Sequence, residues 1–522
     1  MSRSPAGLDA RPTSVAGSRL RDLLADLPGI DGLPAAADVT VRGLTLDSRA
    51  VRPGDLYAAL PGGRTHGARF VAAVVDAGAA AVLTDPSGAE AARAATGQLP
   101  VVVAPDLRRA LGGLSSAVYG HPSRQLLTLG VTGTQGKTTV TYLLEAALLP
   151  SGRTPGLMGT TGSRAAGRPV ASRLTTPEAP DLHALLAVML EQGVDACALE
   201  VSSHALVQGR VDGVLFDVAV FLNLGRDHLD FHRDQEDYFA AKASLFAPER
   251  CRQAVIDVGD EWGRRLAEVT RRDGLPVATC AVSEPADWRA EQVRVTEHGS
   301  DFVVVGPGGQ QEPVHLPLPG AFNVRNALAA VVALAQAGLP LDAVAAGLAA
   351  AAGVPGRMER VDEGQQFVAL VDYAHKPDAV EAVLAALRPA TRGRLLIVLG
   401  AGGERDPGKR PLMGRAAARL ADVVVVTDDN PRGEDPAAIR SAVLAGVDPA
   451  EAHAELVEQP GRDRAIRAAV AMARPGDTVV VAGKGHETGQ EVGGTVHPFD
   501  DRDVLRTALR ELSGTTSPPA AS

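Results

Sequence analysis

The octapeptide Thr132–Thr139 has the residue types of a phosphate-binding loop. Its glycines let the backbone turn tightly and direct N–H groups at phosphate oxygens, and the following helix adds the positive end of its dipole. Lys137 can neutralise the charge of the β- and γ-phosphates, and Thr138 can bind Mg²⁺. The strict GxxxxGK[ST] spacing is not met, because Val131 stands five positions before Gly136. A glycine-bearing turn with a surface lysine is the simpler alternative, but the pattern favours a site for ATP or GTP.

Two further residues are candidate metal ligands. Glu200 ends the apolar run Ala196–Leu199, and His228 follows the segment 223–227. Carboxylates at strand ends near a phosphate loop are the usual ligands of Mg²⁺, which prefers oxygen. The alternatives are a helix N-cap for Glu200 and a loop hydrogen bond for His228, since Mg²⁺ disfavours nitrogen.

These residues need a fold that positions them, and the sequence predicts an α/β fold. Short apolar runs alternate with alanine- and leucine-rich helical stretches, a pattern typical of parallel sheets covered by helices. The phosphate loop lies between one such run and the helical stretch Val140–Leu148. The predicted buried strands are Leu126–Val131, Ala196–Val201, Val218–Leu222, Leu395–Leu399, Val423–Thr427 and Thr478–Ala482.

The length of 522 residues predicts three or four domains at roughly 150 residues each. We expect a smaller N-terminal α/β block over 16–122, a central nucleotide-binding block with a mostly parallel sheet over 123–354, and a C-terminal block of alternating strands and helices over 355–512. A Gly/Pro stretch, Gly353–Gly356, reads as the second linker. The first fifteen or so residues and residues 513–522 are predicted to be frayed ends.

Composition narrows the class of protein. Hydrophobic residues make up 45% and charged residues 22%, as in globular proteins, and the net charge of −10 argues against a nucleic-acid binder that relies on broad positive charge. The three cysteines are too far apart for a zinc motif and indicate a reducing compartment. We see no signal-peptide core, and Pro340 and Asp342 interrupt the most apolar stretch, so no membrane span is expected. The chain is therefore expected to be cytoplasmic and to handle acidic small molecules.

Motifs along nearly the whole chain, taken in order, resemble those of the Mur ligase family, ATP-dependent enzymes that add amino acids to the UDP-linked muramyl peptide precursor of peptidoglycan. The stretches that carry the resemblance are Asp47–Arg49, Gly133–Thr139, Thr175–Pro177, Glu200–His204, Asn223–Asp230, Phe322–Asn323, Gly356–Arg357, Asp372–His375 and Gly400–Arg410. The resemblance implies that the N-terminal domain holds the UDP end, that a central P-loop-type domain binds ATP, and that a Rossmann-like C-terminal domain brings the amino acid. Asp429–Arg432 resembles the signature of members that add meso-diaminopimelate.

Three alternatives remain at this point. A sister ligase that adds L-lysine should lack the stretch Asp429–Arg432, and a folylpolyglutamate synthase-like enzyme should lack the N-terminal block that contains Asp47–Arg49. A non-catalytic nucleotide-binding regulator would be expected to have lost Lys137, Glu200 or His228, and all three are present.

The resemblance implies roles for residues that the spacing alone does not single out. Asn323 and Arg357 match positions near the nucleotide, although they could be a helix cap and a linker surface charge. Lys242 looks like an ordinary solvated helix lysine, but it matches the lysine that CO₂ carbamylates in the family. The implied nucleotide contacts are Gly133, Thr134, Gln135, Gly136, Lys137, Thr138, Thr139, Asn323 and Arg357; the implied Mg²⁺ ligands are Thr138, Glu200, His228 and Lys242; the implied catalytic residues are Lys137, His228 and Lys242.

The same resemblance implies two substrate pockets. The residues implied for the UDP-sugar and its dipeptide are Leu46, Ser48, Thr175, Thr176, Ser202, Gln208 and Arg210. Those implied for diaminopimelate are Arg405, Asp429, Asn430, Pro431, Arg432, Gly483 and Glu487. Arginines can bind a distal carboxylate in a bidentate manner, and carboxylates can accept hydrogen bonds from an ammonium group. Taken alone, Asp429–Arg432 would instead be a plain Asn-Pro turn after a strand.

The family mechanism implies that the γ-phosphate of ATP is transferred to the D-glutamyl carboxylate and that an amine of diaminopimelate attacks the acyl phosphate. We expect domain closure over ATP, because nucleotide and amino acid lie on different domains. The expected partners are these small molecules, without nucleic acid or membrane, and a monomer is expected.

Overall fold

The computed structural model describes residues 8–25, 38–63, 65–172, 174–228, 231–296, 299–448, 453–512 and 514. They form three α/β domains, so the predicted fold class is confirmed. The prediction of a frayed start is wrong for residues 8–15, because the Leu8 N–H donates to the Pro169 carbonyl and the Thr13 N–H to Glu191. The predicted frayed end, Gly514 aside, lies outside the described residues.

The N-terminal domain contains a parallel four-stranded sheet, ordered β3-β4-β5-β6, and a short antiparallel pair, β1-β2. Its strands are β1 (Ser18–Arg19), β2 (Thr40–Val41), β3 (Gly43–Thr45), β4 (Asp55–Ala59), β5 (Ala81–Thr84) and β6 (Val101–Val103). Its helices are α1 (Leu20–Leu24), α2 (Val71–Asp76), α3 (Ala89–Thr96) and α4 (Leu107–Val118).

The central domain is built on an eleven-stranded sheet that is parallel in its middle and antiparallel at both edges. Its strands are β7 (Leu127–Thr132), β8 (Pro155–Gly159), β9 (Gly162–Ala165), β10 (Arg168–Val170), β11 (Ala196–Glu200), β12 (Val218–Phe221), β13 (Ala254–Asp257), β14 (Val277–Ala281), β15 (Trp288–Val295), β16 (Ser300–Val305) and β17 (Gln311–Leu316). Its helices are α5 (Lys137–Leu148), α6 (Ala179–Glu191), α7 (Ser203–Val207), α8 (Gln235–Ala243), α9 (Glu261–Arg272), α10 (Ala321–Gln336) and α11 (Leu341–Ala349). Helices α5, α10 and α11 bury one face of the sheet, and α6, α8 and α9 bury the other.

The C-terminal domain has a six-stranded sheet, ordered β18-β19-β23-β20-β21-β22, in which only β18 is antiparallel, and a separate hairpin, β24-β25. Its strands are β18 (Glu359–Arg360), β19 (Val368–Asp372), β20 (Leu395–Leu399), β21 (Val423–Val426), β22 (Glu455–Glu458), β23 (Thr478–Ala482), β24 (Gly489–Val492) and β25 (Thr495–Pro498). Helices α12 (Pro377–Leu387), α13 (Lys409–Leu420) and α14 (Pro436–Leu444) cover one face, and α15 (Arg462–Met472) and α16 (Asp501–Leu512) cover the other.

The six predicted strands all exist, each within a residue of its predicted bounds. The strands that precede the predicted site loops are therefore placed as expected. The site loops follow the carboxyl ends of these strands. Among the described residues, no helix has both the length and the apolar character needed to cross a bilayer.

Candidate active site

Three parallel strands end side by side at the centre of the middle sheet. β7 lies between β11 and β12, with Glu200 beside Val131 and Phe221 beside Thr132. The phosphate loop follows β7, Glu200 ends β11, and the segment 223–228 follows β12. The carboxyl ends of parallel strands form a crevice where the strand order reverses. The topology therefore brings the predicted loop and both predicted metal ligands to one edge of the sheet.

The phosphate loop turns directly into helix α5. Gly136 has φ +90° at the N-terminus of α5, and a Cβ there would lie 2.4 Å from Oδ1 of Asn326, so only glycine fits. Thr138 and Thr139 lie buried in the first turn of the helix. Because the first N–H groups of a helix lack intrahelical partners, they can bind phosphate oxygens.

The side chain of Asn223 fastens the loop to the segment after β12. The Gln135 N–H donates to Oδ1 of Asn223 (2.9 Å), and Nδ2 of Asn223 donates to the Gln135 carbonyl (3.1 Å). The Gly225 N–H donates to the hydroxyl of Thr134 (2.9 Å), which also contacts the hydroxyl of Tyr238 (3.2 Å). The predicted loop residues Thr134 and Gln135 are thus fixed by side chains from two other elements.

The Lys137 ammonium is folded back on its own loop. Its Nζ donates to the carbonyls of Gly133 (2.7 Å) and Thr134 (3.2 Å). Burial lowers the pKa of Lys137 to about 8, an effect that Glu200 opposes and the cation of Lys376 reinforces. The lysine is therefore cationic at neutral pH and close enough to Glu200 for the two charges to interact.

A cation from the C-terminal domain enters the same cluster. Lys376, just before α12, forms an ion pair with Asp227, whose carboxylate also lies 3.1 Å from Nε2 of His228. Burial lowers the pKa of His228 to about 4, so its imidazole is neutral at pH 7. The predicted residue His228 is thus held at the boundary between the central and C-terminal domains.

Lys242 is buried, so its interpretation as a solvated helix lysine is wrong. Only 1% of the side chain is exposed, and Nζ donates to the Gly133 carbonyl (2.9 Å) above the ring of Tyr238. Burial, followed by the charge of Lys137, lowers the pKa of Lys242 well below its ordinary value. This shift favours the neutral amine, which is the form of lysine that can react with CO₂.

Glu200 connects the phosphate loop to the predicted dipeptide pocket. Its carboxylate is buried and accepts hydrogen bonds from the N–H (2.9 Å) and hydroxyl (3.0 Å) of Thr160, whose hydroxyl oxygen also lies 3.2 Å from that of Thr175. The Thr176 hydroxyl donates to the Glu200 carbonyl (2.7 Å) and accepts from the N–H of Ser202 (3.2 Å). Glu200 does not cap a helix, since Ser202 is the N-cap of α7.

The other predicted dipeptide residues extend this patch. Arg210 donates to the Thr176 carbonyl (3.1 Å) and to the side-chain oxygen of Gln208 (2.6 Å). Leu46 and Ser48 lie half-buried after β3 in the N-terminal domain, where Ser48 contacts the hydroxyl of Tyr57. No bond between these two residues and the central patch is observed within the part of the chain that the structure describes.

The two predicted nucleotide residues outside the loop occupy different settings. Asn323 is buried in α10 and donates to the Pro319 carbonyl (2.8 Å), while Gly320 is the N-cap, so the helix-cap alternative is wrong. Arg357 is half-buried, with its guanidinium 4.5 Å from the ring centre of Tyr373. Its buried Nε has no hydrogen-bond partner among the described residues, which fits a group that awaits an anion.

The predicted amino-acid pocket is formed by the loops after β21 and β23. The fully buried Lys484 donates to Oδ1 of Asn430 (3.0 Å) and to Glu487 (2.9 Å), and Nδ2 of Asn430 donates to the same Glu487 oxygen (2.9 Å). The Asp429 carboxylate lies against Gly483, and none of the described residues donates a hydrogen bond to it. Asn430 thus organises the pocket, while Asp429 is available to a ligand.

Two arginines flank this pocket. Arg432 donates to the Gly403 carbonyl (2.6 Å) and pairs with Glu491 (3.1 Å). Arg405 is exposed in the loop after β20. Pro431 lies between the two loops, since its carbonyl approaches Gly403 closely. The structure therefore gathers the predicted residues of the C-terminal domain at the carboxyl ends of β20, β21 and β23.

Sequence reasoning missed Lys376 and Lys484. A lysine directly before a helix interacts unfavourably with the positive end of the helix dipole. The position of Lys376 before Pro377 therefore indicated a functional role. Lys484 stands between Gly483 and Gly485 after a buried strand. This segment, like the phosphate loop, combines glycines and a lysine at the end of a strand. Asn223 lay within a quoted motif but received no role.

Comparison with known proteins places this geometry in a family. The family descriptions "Mur ligase middle domain", "Mur ligase, glutamate ligase domain" and "Mur ligase family, catalytic domain" match residues 131–334, 356–485 and 40–119. A Streptomyces avermitilis protein named UDP-N-acetylmuramoyl-L-alanyl-D-glutamate--2,6-diaminopimelate ligase is 55% identical over 97% of this chain and 99% of its own length. A Corynebacterium glutamicum protein of the same name is 49% identical over 92% of this chain and 94% of its own. A solved structure of a ligase with that name is 32% identical, covers 95% of this chain and 99% of its own, and superposes with a TM-score of 0.67.

The fold and the site define an enzyme of the ATP-dependent ligase class. The chain belongs to the Mur ligase family, as its motifs predicted.

Proposed function

We propose that this chain catalyses ATP-dependent amide formation between meso-2,6-diaminopimelate and the D-glutamate of UDP-N-acetylmuramoyl-L-alanyl-D-glutamate. The single observation that carries the proposal is the cluster of Lys137, Lys376 and Arg357 around the carboxylates of Glu200 and Asp227. Three cations face two anions, and two of the cations, Lys376 and Arg357, come from the C-terminal domain. Such a cluster favours the binding of a polyanion at the boundary between the central and C-terminal domains.

The residues of the cluster fit phosphoryl transfer to a carboxylate. Catalysis of this step consists mainly of positioning and charge neutralisation. Lys137 would bind the β- and γ-phosphates, and Arg357 the remaining phosphate charge. The γ-phosphoryl group would pass to the D-glutamyl carboxylate, held near Glu200 by Thr176, Ser202 and Arg210.

The donor set around the phosphate loop also fits Mg²⁺. The proposed ligands are Thr138, Glu200 and His228, with a carbamate on the neutral amine of Lys242 as a further oxygen donor. Within the described residues, no three His, Cys, Asp or Glu side chains form a metal site by themselves. Mg²⁺ is commonly held by one or two carboxylates together with waters and substrate phosphates. Bound there, Mg²⁺ would neutralise the charge of the transferring group.

The pocket of the C-terminal domain fits an amino acid with charged groups at both ends. Asp429 and Glu487 can accept hydrogen bonds from an ammonium, with the backbone at Gly483 beside them, while Arg405 and Arg432 can bind the distal carboxylate. Lysine lacks that carboxylate and cannot make these contacts with Arg405 and Arg432, so we expect it to be a much poorer substrate. The attacking amine must be neutral, and its acyl acceptor would lie across the domain boundary.

The N-terminal domain would bind the uridine end through Leu46 and Ser48. We propose that the enzyme acts as a monomer.

The test is phosphate release from ATP with the UDP-muramyl dipeptide and either meso-diaminopimelate or L-lysine. We expect turnover with diaminopimelate only, and loss of that turnover in Lys137→Met. Equal turnover with lysine would refute the specificity, and amide formation at the wild-type rate by Lys137→Met would refute the assignment of the site. Arg19→Met is a suitable control, because this exposed arginine pairs with Asp38 on the surface of the N-terminal domain.

A further inference from the structure

Tyr373 contacts residues of both proposed substrate sites. It follows directly after β19, and its hydroxyl lies 3.4 Å from Oε1 of Glu487 in the amino-acid pocket. Its ring lies under the guanidinium of Arg357, 4.5 Å from the ring centre. One side chain therefore connects a carboxylate proposed to bind diaminopimelate with a cation proposed to bind phosphate.

The hydroxyl contact completes the positioning of Glu487. The other carboxylate oxygen of Glu487 already accepts hydrogen bonds from Lys484 and Asn430. Among the described residues, the hydroxyl of Tyr373 is the group that donates to Oε1. Removal of this hydroxyl would leave Oε1 without a donor and allow the carboxylate to rotate. Burial raises the pKa of Tyr373 to about 12, and Glu487 adds to this, so the hydroxyl keeps its proton and remains a donor at neutral pH.

The backbone around Tyr373 leaves little room for independent movement. A Cβ on Gly485 would lie 2.8 Å from Cβ of Tyr373 and 2.7 Å from the Gly356 carbonyl. Tyr373 thus packs directly against two segments, the one that contains Arg357 and the loop that contains Glu487. A shift of Arg357 on nucleotide binding must be transmitted to this contact.

We infer that Tyr373 is a positioning residue that couples nucleotide binding at Arg357 to amino-acid binding at Glu487. The inference rests on the proposed function for the identity of the two ligands. The ring orients the guanidinium through a cation–π contact, and the hydroxyl orients the carboxylate. Binding of either ligand then favours the arrangement that the other requires, and the coupling factor must be equal in both directions.

The two halves of the side chain can be removed separately. Tyr373→Phe deletes the hydroxyl and keeps the ring, so the KM for diaminopimelate should rise about threefold to tenfold while the dissociation constant of ADP changes less than about twofold. Tyr373→Leu deletes the ring as well, so ADP binding should also weaken about threefold. Calorimetry would measure ADP binding with and without saturating diaminopimelate, and the ratio should exceed one in the wild type and fall towards one in both variants.

Tyr142 offers a matched control in the central domain. Its ring lies 4.5 Å from the guanidinium of Arg164, and its hydroxyl contacts Thr161 (2.8 Å). Tyr142→Phe and Tyr142→Leu should leave the coupling ratio unchanged. A wild-type ratio of one, an unchanged KM for diaminopimelate in Tyr373→Phe, or equal effects of the Tyr142 and Tyr373 variants would each overturn the inference.

The outcome separates this inference from the proposed function. If the wild-type enzyme ligated a different amino acid, the proposed substrate would be wrong, and the same ratio measured with that amino acid would still decide the role of Tyr373. Thermal unfolding of each variant shows whether an effect reflects loss of the fold. Because Tyr373→Phe removes one atom, it decides the question even if Tyr373→Leu does not fold.

Discussion

The pKa of Lys137 makes the affinity for ADP depend on pH in a defined direction. Phosphate binding requires the protonated amine, whose pKa burial lowers to about 8 in the free protein. Bound phosphate charge raises that pKa, so affinity is full well below pH 8 and is lost as the pH rises through the pKa of the free protein. An unperturbed lysine, with its pKa of about 10.4, would show no loss over this range.

The magnitude follows from the fraction of protonated lysine. With a pKa of about 8, this fraction is roughly 0.76 at pH 7.5 and roughly 0.09 at pH 9.0. If the pKa of Lys137 in the complex lies well above 9, the dissociation constant of ADP should rise about eightfold between these two pH values. Titration calorimetry without divalent cations, in buffers of equal ionic strength, would measure it.

Two variants of Lys137 test the assignment. Lys137→Arg keeps the charge at all pH values used, so its ADP affinity should be independent of pH from 7.5 to 9.0. Lys137→Met should bind ADP weakly and also without pH dependence. A wild-type profile that is flat, or a Lys137→Arg profile as steep as that of the wild type, would refute the reasoning.

Three further changes have defined outcomes. Lys376→Met removes a cation that lowers the pKa of Lys137, so the pH at which ADP affinity falls should move upward, and calorimetry showing no movement would contradict this. Gly159→Ala would place a Cβ 2.3 Å from Oε1 of Glu200, so turnover should need a higher Mg²⁺ concentration, and an unchanged Mg²⁺ titration would argue against Glu200 as a ligand. Arg462→Met would leave the fully buried Asp501 without its partner, and urea unfolding should show a loss of about 3–5 kcal/mol, far more than for a surface ion pair.

The local parts of this structure follow from local sequence signals. Uninterrupted apolar runs such as Val423–Thr427 fit strands that are buried on both faces, and a glycine-rich turn before Lys137 fits only a strand-to-helix connection. The burial of Lys242 was also readable, because it lies four residues after Tyr238 and three after Phe239, on the buried face of α8. The prediction that Lys242 is solvated was wrong because it rested on the residue type alone and did not use the helical spacing.

Contacts between residues that are far apart along the chain, within a domain or between domains, follow from no such signal. Lys376 and Asp227 are separated by 149 positions, and Tyr373 and Glu487 by 114, so no periodicity within an element relates either pair. Their meeting depends on how whole domains dock and how loops at neighbouring strand ends pack. The phosphate loop alone would bind a nucleotide in any orientation of the C-terminal domain, whereas Lys376 reaches Asp227 only when that domain is docked.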